Sequence, residues 1–535
     1  MIYPRLCVAY FCQFAIWGAW AGALGGYTTG VLNLPGAQVG WLYAAIPLGA
    51  VISPLFIGPI ADRFFAAQNV IALLHFLGGL CLIAAGWLCV SGNATFSLLM
   101  TLILLSGICF MPTIALINTI VFKHLPNPDK APQVFIFGTI GWIAINLFIA
   151  AFCDGANTPY FFFVGGVVSI FLAGYSITLP NTPPKGAPAP GEKSDALGLG
   201  ALKLFNNPTF AIFAICIFLG SIPACNYFFP SFVNFLTERG YPSPLALGTL
   251  NQFSEIFFMA LLPFFVARIG LKRVLLIGLL AWVLRYICFA QGGTFGFELA
   301  LIGLILHGFC YSFLYVAAYM YADKMAPADI KASVQSLMAF LLLGVGQVLG
   351  SVFYGTMADN YPAKVSHYYP PQMTVAQLGT APEITKVSLP PWNDVKRENS
   401  AWKYLDLGGQ VAALMAKPKG EQEQGVPDSK HLGIEIDKNS DNIITREELA
   451  AVTEPLKYTT NKEEVLFTPE DLQFIFTQVA EKSGSTDGSV THAQWLGVQA
   501  KNWKTIWYVP AALIAVCAVA FLVLGRDPEE AVEKK

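Results

Sequence analysis

A chain of 535 residues that is 55% hydrophobic and 12% charged falls outside the soluble globular class, where about 25% of residues carry charge. The net charge of −2 gives no electrostatic case for a nucleic-acid partner, and a mean hydropathy of +0.56 points to a polytopic membrane protein. Eleven cysteines could suggest a disulfide framework, but they sit in or at the ends of apolar runs without any CxxC or Cys/His cluster, so they read as small buried hydrophobes.

A bilayer core of about 30 Å needs about 20 apolar residues of helix. About twelve runs of that length occur, at 5–27, 39–61, 68–90, 96–122, 132–153, 158–179, 208–236, 245–268, 272–291, 295–320, 331–357 and 504–525. The first, "LCVAYFCQFAIWGAWAGALGGY", is too long for a signal peptide, carries Gln13, Trp17 and Trp20, and has no basic region beyond Arg5; it is expected to remain as the first helix. The sixth and seventh runs are separated by "PNTPPKGAPAPGEKSDALGLG", a linker without periodicity.

The expected fold class is thus an all-α membrane protein with 12 transmembrane helices in two six-helix bundles. Residues 1–180 form the first bundle, 181–205 a cytoplasmic linker, and 206–360 helices 7–11. An extramembrane insert covers 361–502, and 503–535 hold helix 12 and a tail.

Basic residues set the orientation. Arg5 precedes helix 1, and the connections after helices 2, 4, 6, 8 and 10 carry Arg63, Lys123 and Lys130, Lys185 and Lys193, Lys272 and Arg273, and Lys324 and Lys331. The opposite connections "TTGVLNLPGAQ", "SGNAT", "DGANT" and "QGGT" carry none, and Arg239 is the exception. Both termini and the linker are therefore expected in the cytoplasm and the insert outside. The turns "GPIADRF" and "ARIGLKR", in matching places after helices 2 and 8, suggest a duplicated transporter scaffold.

An ionisable group at mid-membrane is costly unless partnered, which makes it a functional candidate. Glu255 lies about ten residues into helix 8, roughly 15 Å deep, with Gln252 three residues earlier on the same face. A carboxylate beside an amide can hydrogen-bond a sugar or a base; the plainer alternative is a tie between helices. In helix 10, His307 and Tyr311 are i,i+4 neighbours and point to one side. Arg285 in helix 9 is expected to snorkel outward or to pair with Glu298, and His75 in helix 3 to serve structure. Gln13 and Asn118 fit a cavity lining or interhelical bonding equally well.

The stretches "QFAIWGAWAGALGGY", "MPTIALINTI", "FGTIGW", "QFSEIFFMALLPFFVARIGLKRVLLIGLLAWVLRYICFA", "KASVQSL" and "WKTIWYVPA" resemble the nucleoside:H+ symporter family of the major facilitator superfamily, over about 1–360 and 500–525. The resemblance implies twelve helices, inward termini, a central cavity and proton-driven nucleoside uptake, with no cofactor for transport. It carries substrate positions onto Gln252, Glu255, Asn226, Thr139, Trp142 and Tyr311, and His307 stands where the family has a tyrosine. Two positions depart from the family pattern: Phe135 stands for an arginine and Ser312 for an aspartate. Their joint loss strands no charge and leaves Glu255 without a neighbouring arginine, so the proton is expected on Glu255, with His307 as its partner.

The insert is polar. Its first part, with "YPAKVSHYYPPQM" and "SLPPWNDVKREN", is expected to be irregular. Within 430–498, "DKNSDNIITREE" places Asp437, Asn439, Asp441, the Ile443 carbonyl, Thr445 and Glu448 at positions 1, 3, 5, 7, 9 and 12 of an EF-hand calcium loop. Asn442 replaces the usual Gly at position 6, a change Asn tolerates better than most residues. In "SGSTDGSVTHAQ", Ser483 and Gln494 replace the charged ends, so this second loop is expected to act as a metal-free folding partner.

The expected protein is a monomeric carrier of the cytoplasmic membrane. It moves a nucleoside or similar small polar solute inward with H+, and Ca2+ in the insert is structural or regulatory. Two other readings stay open: a uniporter or carrier of another sugar-like solute, and a calcium-responsive sensor on a transporter scaffold. No nucleophile–base pair or nucleotide loop suggests an enzyme.

Overall fold

The computed structural model describes residues 2–32, 34–127, 130–184, 199–239, 241, 243–295, 297–327, 330–362, 443–453, 456–459, 464–467, 469–491, 494 and 500–528. The chain forms two compact units, Met1–Asn234 with Ser243–Asp359 and Lys504–Lys535, and Phe235–Pro242 with Asn360–Trp503.

The described elements of the first unit are all helices. Its first half holds α1 (Tyr3–Ala21), α2 (Leu24–Gly30), α3 (Gly36–Phe64), α4 (Ala67–Val90), α5 (Phe96–His124), α6 (Ala131–Phe152) and α7 (Tyr160–Ser176). Then come α8 (Pro208–Ser221), α9 (Cys225–Glu238), α10 (Pro244–Phe295), α11 (Phe297–Ile305) and α12 (His307–Cys310). A π-helical turn, Tyr311–Val316, leads into α13 (Ala317–Met325); α14 (Lys331–Ala339) joins α15 (Gly346–Asn360) through a second, Phe340–Val345. Among the described residues nine helices are long and apolar enough to cross a membrane. They become ten if Gly200–Asn206 and Pro208–Ser221, bent by 112°, make one span. Their outward arcs are apolar: Leu73, Phe76, Leu77 and Leu80 are exposed on α4 at the i, i+3, i+4, i+7 spacing of one helix face.

Three breaks shape these helices. Gly270 (φ 79°, ψ 163°) divides α10 into two arms at "ARIGLKR", the turn expected there. A side chain at 270 would be strained by that positive φ and would place its Cβ 2.8 Å from an Asp527 carboxylate oxygen. The single run expected over 208–236 is interrupted at Ile222–Ala224, between α8 and α9, because Pro223 has no N–H to continue the ladder. The Tyr286 hydroxyl reaches the Pro223 and Ala224 carbonyls, at 2.8 and 2.6 Å. The first run is likewise interrupted between α1 and α2, where the Tyr43 hydroxyl donates to the Ala21 carbonyl (2.7 Å) and accepts from the Gly25 N–H (3.0 Å). The opening run of each half is thus discontinuous, and in both a buried tyrosine satisfies backbone groups at the gap.

Helices α1, α4, α5 and α7 share a buried polar chain. The Gln13 amide donates to Thr113 Oγ1 (2.8 Å), its carbonyl oxygen meets His75 Nε2 (2.9 Å), and His75 Nδ1 faces Ser169 Oγ (3.1 Å). His75 is therefore structural, as its sequence position suggested, and Gln13 bonds helices together. His75→Leu leaves the Gln13 oxygen buried without its partner, a cost of about 1–3 kcal/mol. The variant should inactivate at lower temperature in detergent, and adding Gln13→Leu should restore part of the loss; a His75→Leu curve overlying the wild type would refute this.

In the second unit Tyr361 and Asn502, at the two ends of the insert, are joined by a 3.1 Å backbone hydrogen bond. Strand β1 (Ile443–Ile444) precedes α16 (Arg446–Ala450) and pairs antiparallel with β4 (Val490–Thr491); β2 (Leu456–Thr459) pairs with β3 (Glu464–Phe467), and α17 is Pro469–Ser483. Thr445 and Glu448 form a reciprocal capping box at the start of α16. The exposed Asp487 accepts from the Ser489 hydroxyl (2.7 Å), the Ser489 N–H (2.9 Å) and the Ser485 hydroxyl (2.9 Å), which hold its carboxyl down at about 2. Asp437, Asn439 and Asp441 lie outside the described residues. The helix α18 (Trp503–Leu524) belongs, from Lys504 onward, to the first unit.

Candidate functional site

The two interrupted runs meet at a cavity. Its wall in the first half is Gly22, at the α1–α2 break, with Trp142 and Asn146 of α6. The second half supplies Phe228, Phe229 and Phe232 of α9, just past the Pro223 break, together with Asn251, Gln252 and His307. Trp142 stands edge-on to Trp17 (5.7 Å between ring centroids, 72°) and 6.1 Å from Phe229. Asn146 is held by hydrogen bonds from its amide to the Trp142 and Gly18 carbonyls, at 2.9 and 3.2 Å.

A close helix crossing builds the polar end of the site. At Gly308 an added Cβ would stand 2.3 Å from the Ser254 carbonyl oxygen, so only glycine permits this approach. The Ser254 hydroxyl accepts from the Gly308 N–H (3.0 Å) and donates to the Ile305 carbonyl. Their neighbours Glu255 and His307 are thereby juxtaposed, with Oε2 3.6 Å from Nε2 and side chains 16% and 3% exposed. That separation exceeds a hydrogen bond, though catalytic contacts in unliganded sites are often long. Tyr311, first residue of a π-helical turn, stacks near His307 at 6.1 Å and 27°.

Arg285 does not snorkel. It is fully buried, while Glu298 is exposed. Its guanidinium contacts His307 Nδ1 at 2.6 Å, donates to Asn251 Oδ1 at 2.8 Å and lies over the Phe228 ring at 3.8 Å. The expectation of a site without an arginine is thus corrected. Phe135 packs on Tyr10 at 4.9 Å, and a cation reaches His307 from α10 instead.

Of the expected binding residues, Trp142, Gln252 and His307 line the cavity, and Glu255 and Tyr311 adjoin it through His307. Thr139 is half-buried one turn before Trp142, outside that lining. Asn226 lies in the first turn of α9, and its side chain is not among those described.

A family model described as Nucleoside H+ symporter matches residues 1–379. The chain belongs to the nucleoside H+ symporter family. Among relatives of this symporter, the putative nucleoside transporter YegT of Escherichia coli K12 is 37% identical over 372 residues, covering 66% of this chain and 84% of that protein. The xanthosine permease of the same organism is 31% identical over 377 residues, covering 67% and 88%. A crystal structure of the nucleoside transporter NupG superposes with a TM-score of 0.61 at 28% identity, covering 68% of this chain and 92% of that one. The symporter is accordingly a proton-coupled nucleoside transporter by family.

Sequence reasoning missed Asn146, Asn251 and the phenylalanines of α9, and it turned Arg285 the wrong way. Trp282 and Phe289, at i−3 and i+4 from Arg285, were the available signal. Aromatic faces on both sides of a cation mark a buried arginine, here with centroids at 4.9 and 5.4 Å.

Proposed function

We propose that this symporter imports nucleosides across the cytoplasmic membrane as a monomer with twelve spans, its cavity opening alternately to either side. The count of twelve takes α10 as two spans at Gly270, α7 as a short one and α8–α9 as one interrupted span. The basic connections support an orientation with both termini in the cytoplasm and the insert outside.

One observation carries this reading. The cavity at the two interrupted runs combines flat aromatic faces (Trp142, Phe229) with amides (Asn146, Gln252) and adjoins the Glu255–His307 pair. Discontinuous helices in corresponding places of two repeats mark transporter sites. Aromatic faces suit a base and amides suit its edges and the ribose hydroxyls. Glu255, largely buried beside this cavity and next to His307, takes up the coupled proton.

The insert is proposed to be an EF-hand pair. Its support is the register of Ile444 against Val490, the eighth position of each loop, together with the exiting α16, which carries Glu448 in its first turn. Calcium would be held by Asp437, Asn439, Asp441, the Ile443 carbonyl, Thr445 and Glu448.

Uptake of labelled nucleosides into proteoliposomes, with and without a pH gradient that is acid outside and with and without calcium, tests all of this. Gradient-driven accumulation is expected; uptake indifferent to pH indicates a uniporter. Absence of uptake together with a calcium-dependent conformational change indicates the sensor.

A further inference from the structure

Arg285 has no place in the roles assigned so far, yet the second half of the bundle is built around it. Its Nη2 donates to Asn251 Oδ1 at 2.8 Å, and Asn251 is itself fixed by its amide donating to the Gly248 carbonyl at 2.8 Å. Phe228, Trp282 and Phe289 surround the guanidinium with ring centroids at 3.8, 4.9 and 5.4 Å. A cation clamped by a directed bond and three aromatic faces cannot swing away from His307, whose Nδ1 lies 2.6 Å from Nη1.

A guanidinium has five donors, no acceptor and a permanent charge. In that contact His307 Nδ1 must therefore accept, and the single ring proton belongs on Nε2. Nε2 is the nitrogen that faces Glu255 Oε2, 3.6 Å away. We propose that Arg285 is the positioning residue of the coupling site: by occupying Nδ1 it holds His307 in the Nε2–H tautomer and turns that N–H toward Glu255.

This rests on the reading of Glu255 as the proton-carrying group, and it sharpens that reading. With Nδ1 committed to Arg285, the imidazole has no second nitrogen through which to pass a proton, so His307 serves as a donor to the carboxylate and Glu255 alone loads and unloads. Arg285 and an ionised Glu255 then form a balanced pair bridged by a neutral ring. Loading the proton leaves the buried cation without its counter-charge, which makes the loaded state sensitive to whatever fills the cavity beside it. Among the described residues the other titratable groups here are the thiol of Cys310, beside Arg285, and the phenol of Tyr311, stacked near His307. The Tyr227 and Tyr286 hydroxyls on neighbouring helices donate instead to backbone carbonyls of residues 506, 223 and 224.

The test reads the tautomer directly. In the full-length protein with 15N-labelled histidine, the His307 signals, identified by their loss in His307→Gln, are expected to show an unprotonated Nδ1 and a protonated Nε2. Arg285→Lys, which keeps a cationic donor, should preserve that pattern, and Arg285→Met should lose it. In proteoliposomes Arg285→Met should lower the initial rate of gradient-driven uptake relative to the rate of nucleoside exchange on the order of 10- to 100-fold, the scale of a misplaced reacting group. A proton on Nδ1 in the wild type, or an Arg285→Met spectrum matching it, overturns the proposal even if Arg285→Met folds poorly, because the wild-type spectrum decides first. An expected tautomer combined with undiminished accumulation in Glu255→Gln would instead sink the proton-carrier reading and leave the positioning role standing.

Discussion

Glu255→Gln is expected to abolish gradient-driven nucleoside accumulation while leaving exchange of labelled for unlabelled nucleoside measurable. The amide has the shape of the protonated carboxyl and, like it, both donates and accepts, so the variant is frozen in the loaded form. Exchange needs only that form to reorient with solute bound; accumulation needs the proton to leave. For one proton per solute, a gradient of one pH unit can sustain about a tenfold concentration ratio. The wild type should approach that ratio and Glu255→Gln should remain near unity. Accumulation by the variant at the wild-type level would show that the proton travels elsewhere.

Position and chemistry were unequally legible in the sequence. Glu255 stood out because a carboxylate ten residues into an apolar run has no cheap structural explanation, and Gln252 followed from helical spacing. Arg285 lies nearer the end of its own run, where a long side chain can snorkel or reach Glu298, and the facing of an isolated helix cannot be read from one charge. What decides its direction is the ring of Phe228, Trp282 and Phe289, and Phe228 comes from α9, more than fifty residues earlier in the chain. Such non-local pairing leaves no periodic trace. The same holds for Asn251, whose amide bonds the Gly248 carbonyl one turn back while its side-chain oxygen accepts from Arg285 on the other arm of α10.

The fold shows a similar division. Apolar runs reveal where helices lie, because hydrocarbon tolerates little else. The interruptions at Gly22–Ala23 and Ile222–Ala224 were hidden by that same apolarity, since neither gap adds a charge or a polar cluster. Their cost is met by the hydroxyls of Tyr43 and Tyr286, which look like ordinary core tyrosines until the backbone groups they serve are known. In the insert, Thr445 and Glu448 matched a calcium loop and a capping box at once, and the two functions share residues 9 and 12 of the loop pattern.

Gly40→Leu should disable transport by holding one end of the cavity open. α3 and α15 meet there with backbone against backbone. A Cβ at Gly40 would lie 2.5 Å from the Ser351 carbonyl oxygen and 3.2 Å from Gly355 Cα, and one at Gly355 would lie 2.5 Å from the Gly36 carbonyl oxygen. One turn away, Asp359 caps the start of α3 through the N–H groups of Gly36 (2.6 Å) and Ala37 (2.8 Å), where the helix dipole favours a carboxylate. By the orientation proposed above this is the outer end. A leucine cannot fit while the helices touch, so closure would have to overcome an overpacking cost of about 1–3 kcal/mol or more, which shifts the open–closed equilibrium by roughly 5- to 150-fold. Uptake should fall by a comparable factor, while the detergent-solubilised variant still binds nucleoside through its open end. Hydrogen exchange at residues 351–359 should rise with it, because the same separation exposes the amides of α15. Gly355→Leu acts on the other side of the contact and should give the same phenotype. Wild-type uptake by Gly40→Leu would mean that these two helices never need to touch during the cycle.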